Sequence, residues 1–191
     1  MMHIILGSAS PRRKALLEAL GYSFEVQTQD GPEDYPTELK GSEITDFLAQ
    51  TKASRIMTDV PPNTVLLTAD TIVWMENRVL EKPRSSGEAR RTLLELSGKT
   101  HEVITSVCFR TSSQTWVSHA ITEVEFAALS QEECDYYIEA GNPMDKAGAY
   151  GIQEWIGMIG VVSIKGSYTN VMGLPTHLVY RTLKELATAG F

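Results

Sequence analysis

Cysteine and histidine are scarce in this sequence, and their number and spacing disfavour a disulfide framework and a metal site built from these residues. The only cysteines are Cys108, in an apolar run typical of a strand, and Cys134, in a stretch with helical character. Two cysteines are too few for a disulfide framework or a thiolate zinc site. The four histidines lack the spacing of metal ligands: His3, His101, His119 and His177. We therefore expect reduced thiols and no histidine-based metal site.

Long apolar runs and an excess of positive charge are also absent. No segment of about 20 apolar residues occurs, so we expect no membrane-spanning helix. The N-terminal segment MMHIILGSAS has no basic leader before its short apolar run, which predicts a first strand rather than a signal peptide, and a cytoplasmic protein. A formal net charge of −7 disfavours nucleic-acid binding, because that binding depends on neutralising phosphates. Any phosphate site must concentrate its positive charge locally.

The length and the apolar content predict a single domain over residues 1–191, because 42% hydrophobic residues supply a sizeable core. Apolar patterns predict strands over residues 3–6, 65–73, 102–110, 116–126 and 158–164. Helix-start signals stand at Pro11, Ser42, Ser85 and Ser130, and a last helix is predicted over residues 174–189. Elements in this order predict an α/β fold, a mixed sheet flanked by helices with an antiparallel pair in its second half.

The segment LGSASPRRK, residues 6–14, is the first candidate for a binding site. A strand, a loop of small residues and a helix N-terminus place backbone N–H groups and the positive end of the helix dipole where an anion could bind. Arg12 and Arg13 lie in the first helical turn, and one guanidinium group can bind two phosphate oxygens at once. A capped helix with exposed arginines explains the segment equally well. The spaced glycines of a Walker loop or a dinucleotide fingerprint are missing.

Asp70 interrupts the apolar run of residues 65–73 and is the leading candidate for catalysis. We expect it at the end of a strand, where open α/β sheets gather their ligands. A carboxylate there could accept a proton from water or hold Mg²⁺, which prefers one or two carboxylates completed by substrate phosphates. A strand-terminal aspartate that caps a turn is the structural alternative. Glu33 is a second candidate, which spacing alone does not rank above Asp30 or Asp34 in the loop QDGPEDYP.

Three further side chains are candidates to contact a ligand. Lys52, in the second predicted helix, and Lys82, held extended by the following Pro83, offer point charges suited to phosphate. The segment DKAGAYGIQ, residues 145–153, has two glycines that allow close backbone approach to a ligand, and the Gln153 amide both donates and accepts. Solvated surface lysines and a tight structural turn are the alternatives.

Six segments taken together resemble the Maf family over essentially the whole chain. Their order along the sequence is LGSASPRRK, TADTIV, LEKP, LSGKTHEVIT, DKAGAYGIQ and IKGSYTNVMGLP. The resemblance implies an elongated, twisted mixed sheet flanked by helices, an architecture like that of inosine triphosphatases, in a protein that is often a homodimer. It also implies hydrolysis of a nucleoside triphosphate to monophosphate and pyrophosphate with a divalent cation, Mg²⁺ or Mn²⁺, as house-cleaning of the nucleotide pool.

Position by position, the resemblance also assigns roles to individual residues. Asp70 matches the family's proton acceptor, and Glu33 joins it at the metal. The phosphate-binding set is Ser8, Arg12, Arg13, Lys52 and Lys82. Arg13, Thr71 and Gln153 match the branch that acts on dTTP and UTP. A glutamine suits these bases, because its amide can pair with the N3–H and a carbonyl of thymine or uracil.

Two positions depart from the family pattern, and three other functions stay open. Thr68 stands where glycine is common, and Trp155 replaces smaller residues, a change that could alter the size of the pocket. The first alternative is a pyrophosphatase for methylated GTP or other modified nucleotides. The others are a phosphomonoesterase that releases orthophosphate and a nucleotide-binding regulator of cell division without turnover.

Overall fold

The computed structural model describes residues 2–141 and 143–189. Their strands are β1 (His3–Leu6), β2 (Glu25–Val26), β3 (Thr64–Met75), β4 (Arg78–Leu80), β5 (Thr100–Arg110), β6 (Thr115–Phe126) and β7 (Val161–Lys165). Their helices are α1 (Pro11–Ala19), α2 (Ser42–Ile56), α3 (Ser86–Leu96), α4 (Gln131–Ala140), α5 (Trp155–Gly160), α6 (Tyr168–Val171) and α7 (Thr176–Thr188). Two 3₁₀ turns, Pro143–Asp145 and Ala147–Ala149, lie between α4 and α5. Each helix of the described ranges is too short or too polar to span a bilayer.

The described strands form one mixed sheet. Its order is β2-β1-β3-β5-β6-β7, and β4 pairs beside β3. β1 runs parallel to β2 and β3, whereas the pairs β3–β5, β5–β6 and β6–β7 are antiparallel. β5 and β6 form the antiparallel pair that the sequence predicts. The predicted α/β class, a mixed sheet flanked by helices, is confirmed.

Helices cover both faces of the sheet because β3 is apolar on both sides. On one face Val65 packs in a buried cluster with Leu17 of α1, and on the other Leu66 packs with Ala49 of α2. Further along the first face, Leu93 of α3 is fully buried in a cluster that also contains Val73. Truncating such a leucine to alanine typically costs about 2–5 kcal/mol, so this packing holds the sheet in one position.

The start of α2 differs from the prediction. Ser42 is the first residue of the helix and not its cap, because Gly41 occupies the cap position at φ 52° and contributes no side chain. Glycine reaches this positive φ at little cost, and the turn it makes directs the chain into the helix. The carboxylate of Glu43 accepts a hydrogen bond from the Lys40 N–H (3.0 Å), which helps to close the same turn.

The last predicted strand, residues 158–164, is half wrong. Residues 158–160 belong to α5, and only the residues from Val161 onward are extended. The helical turn buries Ile156, and it brings Gly157 so close to Ile152 that a Cβ would lie 2.1 Å from the Ile152 carbonyl oxygen. A short apolar run does not distinguish a buried helical turn from a strand, and that ambiguity produced the error.

Candidate active site

A tight loop joins β1 to α1 and forms one wall of a cleft. The Gly7 N–H donates to the carbonyl of Leu67 (2.7 Å), and a Cβ on Gly7 would lie 2.6 Å from the methyl of Thr68. Only glycine lets the loop pass this close to β3. Ser10 then caps α1, its Oγ accepting from the Arg13 N–H (3.4 Å), as the sequence predicts. The loop and the first turn of α1 both line the cleft.

Asp70 lies in the middle of β3, so its predicted position at a strand end was wrong. β3 continues past it because pairing with β5 extends to Trp74. On the opposite edge, β1 pairs only as far as Leu67, and β4 begins pairing at Val73. Residues 68–72 therefore have an edge that neither strand covers. This free edge provides the opening that we expected at the end of the strand.

The cleft wraps around the free edge of β3 and reaches both faces of the sheet. Asp70 and Thr71 are consecutive, so their side chains point to opposite faces, yet both line the cleft. Asp70 is buried towards α2, where Lys52 contacts it, whereas Thr71 contacts Arg13 of α1. One ligand lying across the edge could therefore contact both residues.

Two carboxylates share one lysine at this edge. The Lys52 Nζ lies 2.5 Å from Asp70 Oδ1 and 2.6 Å from Glu33 Oε1, and the Lys82 Nζ lies 3.1 Å from Glu33 Oε2. Burial alone would raise the pKa of Glu33, but the hydrogen bonds and charges of Lys52 and Lys82 outweigh it and lower the pKa to about 2. Glu33 is therefore ionised near neutral pH.

Arg13 is tied into the protein by most of its donors. Its Nε donates to the Gly173 carbonyl (2.8 Å), one terminal nitrogen to Ala69 O (2.8 Å) and Ser8 Oγ (3.4 Å), and the other to Thr71 Oγ1 (3.1 Å). A guanidinium has five N–H groups, so one remains for a ligand. Burial lowers the pKa of Arg13. Arg13 thus holds the loop after β1 against β3 as well as facing the cleft.

Gln153 lines the same cleft as the network around Thr71. Thr71 Oγ1 forms hydrogen bonds with Arg13 and with Thr105 Oγ1 (2.9 Å). Thr105 Oγ1 in turn donates a hydrogen bond to the Asn170 carbonyl (3.0 Å). Gln153 makes no hydrogen bond to any residue within the described part of the chain. Unlike the hydroxyls of Thr71 and Thr105, the side-chain amide of Gln153 is therefore available to form hydrogen bonds with a ligand.

All the residues that the sequence predicts to bind, read or hydrolyse a substrate line one cleft of about 310 Å³: Ser8, Arg12, Arg13, Glu33, Lys52, Asp70, Thr71, Lys82 and Gln153. Of the two acidic alternatives to Glu33, Asp30 lines the cleft and Asp34 does not. Trp155 lies outside the lining and packs against the Tyr136 ring at 4.7 Å between centroids. It therefore does not set the size of the pocket, as we had expected it could.

Among the charged residues that line the cleft, sequence reasoning missed Arg55 and two residues of one loop, Asp145 and Lys146. The Asp145 carboxylate pairs with Arg12 NH1 (3.0 Å) and with the buried Lys146 Nζ (2.8 Å). Burial on its own would raise the pKa of Asp145, but hydrogen bonds from Lys146 and Arg12 lower it. Asp145 and Lys146 stand in the segment DKAGAYGIQ. Only their membership of that motif could have indicated them, because charges in a loop are ordinarily solvated.

The cysteines and histidines contribute little to this site. Burial raises the pKa of Cys108 and of Cys134 to about 11, so both remain protonated thiols, and both are free. Within residues 2–141 and 143–189, no three His, Cys, Asp or Glu side chains are grouped to hold a metal ion. The carboxylates of Glu33 and Asp70 are the two acidic groups that meet at the free edge of β3.

The fold and the cleft place the chain among α/β proteins whose cleft lies beside the end of a parallel strand, here β1, whose loop to α1 lines the cleft. The family model described as Maf-like protein matches residues 3–186. The chain therefore belongs to the Maf-like protein family, which confirms the resemblance seen in the sequence.

Two relatives and one solved structure give the comparison its detail. The chain is 53% identical over 184 residues to the dTTP/UTP pyrophosphatase of Phocaeicola vulgatus, covering 96% of this chain and 95% of that protein. It is 50% identical over 183 residues to the dTTP/UTP pyrophosphatase of Flavobacterium johnsoniae, covering 96% and 94%. The structure of the Staphylococcus aureus Ham1 protein superimposes with a TM-score of 0.51 at 14% identity, covering 96% and 98%. That last likeness is one of fold alone.

Proposed function

We propose that this chain is a nucleoside triphosphate pyrophosphatase that cleaves the α–β phosphoanhydride of dTTP and UTP. The observation that carries the proposal is the buried Asp70 at the free edge of β3, with Glu33 and the cations of Lys52 and Lys82 beside it. The two relatives at 53% and 50% identity carry the name dTTP/UTP pyrophosphatase, which supports the same reaction here.

The triphosphate is bound by the loop after β1 and by the surrounding cations. Backbone N–H groups at the start of α1 and the helix dipole favour an anion at Ser8. Arg12, Lys52 and Lys82 are each paired with a carboxylate, so a triphosphate would exchange these partners for its own oxygens. Arg13 adds its one remaining N–H and keeps the Ser8 loop in place.

The donor set fits a divalent cation. Glu33 and Asp70 offer carboxylate oxygens, which Mg²⁺ and Mn²⁺ prefer, and one ammonium nitrogen reaches both carboxylates at 2.6 and 2.5 Å. A single small cation could therefore contact both groups. The ion, when bound, supplies positive charge to the phosphate oxygens and to the developing charge of the leaving group. Metal dependence is thus part of the proposal.

In this proposal Asp70 accepts the proton of the attacking water. Its Oδ1 accepts from Lys52, and within the described residues Oδ2 has no hydrogen-bond donor. In the proposed step the water oxygen bonds to the α-phosphorus and the bridging oxygen leaves with pyrophosphate. The proton of the water passes to Asp70. General-base assistance of this kind typically contributes about 10²- to 10⁴-fold to the rate.

In this proposal Gln153, which lines the same cleft, recognises the base. Gln153 presents a carbonyl oxygen and an NH₂ group, which together match the N3–H donor and a carbonyl acceptor of thymine or uracil. Cytosine has an acceptor at N3 and an amino donor at C4, so it would pair with the same amide only in the flipped orientation. The proposed preference for dTTP and UTP over dCTP and CTP therefore requires one orientation of the Gln153 amide.

The proposal includes a cellular setting. Cleavage of surplus or damaged triphosphates to monophosphates is house-cleaning of the nucleotide pool, and we place it in the cytoplasm with a homodimer as the working unit, as the family resemblance implies. Sedimentation equilibrium tests the dimer, which requires twice the 21.1 kDa mass of the chain.

Product analysis tests the reaction. The purified protein is incubated with each common nucleoside triphosphate and with methylated GTP, in Mg²⁺, in Mn²⁺ and after chelation. We expect metal-dependent release of pyrophosphate from dTTP and UTP. Turnover of another base would retain the chemistry and overturn the assigned roles of Thr71 and Gln153. Orthophosphate release would indicate a phosphomonoesterase, and binding without turnover a regulatory protein.

A further inference from the structure

A chain of alternating charges connects Arg12 of α1 with the segment that carries Gln153. Arg12 pairs with Asp145 (3.0 Å), Asp145 with Lys146 (2.8 Å), and Lys146 with Glu154 (3.1 Å), the residue after Gln153. Two positive and two negative groups make the chain neutral. It begins at a proposed phosphate ligand and ends beside the proposed base-reading amide.

Lys146 is the buried centre of this charge chain, with 6% of its surface exposed. Burying an ammonium group is costly even when it is paired, and a well-packed apolar side chain is often at least as stabilising. Stability alone is therefore a poor reason for a lysine at this position. Its two carboxylate partners come from either end of the segment 145–154, so the ammonium fastens the ends of that segment together.

Hydrogen bonds link Glu154 to Gly151, in the backbone just before Gln153. Glu154 Oε2 accepts a hydrogen bond from the Tyr137 hydroxyl, and that hydroxyl accepts from the Gly151 N–H (3.2 Å). The Glu154 N–H also donates to the Gly151 carbonyl (3.0 Å). A Cβ on Gly151 would lie 2.7 Å from the Glu154 carboxyl carbon. These contacts therefore hold the Glu154 carboxylate at a fixed position relative to the Gly151 backbone.

The backbone between Lys146 and Gly151 is held in an unfavourable conformation. Gly148 and Ala149 both have positive φ, 67° and 59°, and Ala149 is fully buried. A non-glycine residue keeps such a φ only where its surroundings enforce it. The Lys146 carbonyl accepts from the Ala149 N–H (3.1 Å), so the same lysine fixes this turn through its main chain and its side chain.

We propose that Lys146 is a positioning residue for base selectivity, which fixes the backbone that carries Gln153 relative to the phosphate ligand Arg12 by binding Asp145 and Glu154 at once. The inference rests on the proposed function, because it names what controls the selectivity of that same site. Lys146 itself need not touch the nucleotide.

The test is the Lys146→Met variant, which keeps an unbranched side chain one atom shorter and removes its charge. We expect kcat/KM for dTTP divided by kcat/KM for dCTP to fall at least about ten-fold, the effect of misplacing one hydrogen bond to a base. The loss is expected in KM for dTTP more than in kcat, because Asp70 is not disturbed. Lys165→Met is the matched control, since it removes an exposed ion pair with Glu123 far from the cleft lining.

A second variant separates positioning from stability. Lys146→Met leaves Glu154 as a carboxylate without its ammonium partner, and the variant could be unstable for that reason alone. Lys146→Met/Glu154→Gln removes that charge too, and we expect it to recover thermal stability while its selectivity stays low. If recovered stability brings back the wild-type ratio, or if a stable Lys146→Met keeps that ratio, the positioning role is wrong.

Binding of uncleavable substrates keeps this inference distinct from the proposed function. The α,β-imido analogues of dUTP and dCTP are titrated with Mg²⁺ by calorimetry against wild type and Lys146→Met. A wild type that prefers the dUTP analogue but releases no pyrophosphate from dTTP would sink the enzymatic proposal and still measure selectivity. In that case a fall in preference in the variant supports the role of Lys146, and an unchanged preference overturns it.

Discussion

The two sides of the cleft are built in different ways. The cation side consists of long charged side chains from separate elements: Arg12, Glu33, Lys52, Asp70 and Lys82. The base wall, residues 145–154, is a folded segment of backbone with two residues at positive φ and with Ala149 and Tyr150 buried. On the cation side Lys82 and Glu33 keep 52% and 45% of their side chains exposed, while Lys52 and Asp70 keep 20% and 7%, and Lys146 of the base wall also keeps 7%.

This difference indicates a division of labour. Ion pairs between exposed side chains are weak and exchange partners readily, so in the proposed function the exposed Lys82–Glu33 pair gives way to a triphosphate and a metal ion more easily than the buried Lys52–Asp70 pair does. The base wall cannot rearrange without breaking buried contacts, and a preorganised wall binds its base without a further ordering cost. We therefore expect variants of the cation side to act through charge and variants of the base wall to act through packing.

The largest effect is expected on the cation side from Asp70→Asn. The amide keeps the shape of the side chain but cannot accept the proton of the water, so kcat for dTTP should fall about 10²- to 10⁴-fold while the fold persists. Steady-state kinetics at saturating metal and a melting curve measure the two properties. Asp59→Asn is the matched control on an exposed aspartate outside the cleft lining. Wild-type turnover by Asp70→Asn would remove Asp70 from the mechanism.

The base wall should respond to Gly148→Ala through stability. Gly148 has φ 67°, and a Cβ would lie 2.8 Å from the Val73 Cγ2. The backbone penalty and the overlap together should lower the free energy of unfolding by about 2–4 kcal/mol. Gly98→Ala is the control, because φ 69° carries the same backbone penalty with no atom within 4 Å of the new Cβ. Equal losses in urea unfolding would contradict a tightly packed wall.

Lys52→Met should change two affinities in opposite directions. Because Lys52 occupies the oxygens of Glu33 and Asp70, its removal should raise the affinity of the free protein for Mn²⁺, by roughly ten-fold, and lower the affinity for the uncleavable dUTP analogue. Calorimetry measures both quantities. Lys14→Met, which removes an exposed pair with Glu18 on α1, should change neither. A fall in Mn²⁺ affinity would show that Lys52 does not compete with the metal.

The smallest effect is expected from the pH dependence of the base wall. Burial lowers the pKa of His101 from 6.5 to about 4, and its Nε2 pairs with the Tyr150 hydroxyl (2.8 Å). Since the unfolded chain binds the proton more readily, this contribution is complete above pH 6.5 and is lost as the pH falls towards 4. The free energy of unfolding therefore changes by at most about 1.4 kcal/mol per pH unit through His101.

Removing the imidazole tests this assignment directly. His101→Phe should flatten the dependence of unfolding free energy on pH between 6.5 and 4, measured by urea titration across that window. Glu33 acts in a lower window, because its pKa is lowered from 4.5 to about 2 and its contribution is lost only below pH 4.5. A slope that survives in His101→Phe between 6.5 and 4 would assign the effect to other groups.

The sequence predicted much of the cation side because its residues interrupt regular patterns. Asp70 is the one charge in an apolar run, and Arg12 follows a strand, a small-residue loop and a helix cap. The position of Asp70 within β3 could not be predicted in the same way. It depends on where β1 stops pairing and where β4 begins, and those limits are set by tertiary packing.

The base wall was less accessible to sequence reasoning. Lys146 is indistinguishable in the sequence from a solvated loop lysine, because its burial depends on Glu154 and on packing around Tyr137 of another helix. The two glycines and Gln153 were recognised, but the charges that position them were not. Similarly, the cap of α2 was misplaced because a serine next to Gly41 gives the ordinary cap signal, while the structure uses the glycine's φ.

The measurement that tests the central claim most directly is the fate of solvent oxygen. Hydrolysis of dTTP is run in water labelled with heavy oxygen, and the masses of both products are determined. If water attacks the α-phosphorus beside Asp70, one labelled oxygen enters dTMP and none enters pyrophosphate. Label in pyrophosphate, or release of dTDP with labelled orthophosphate, would contradict the account.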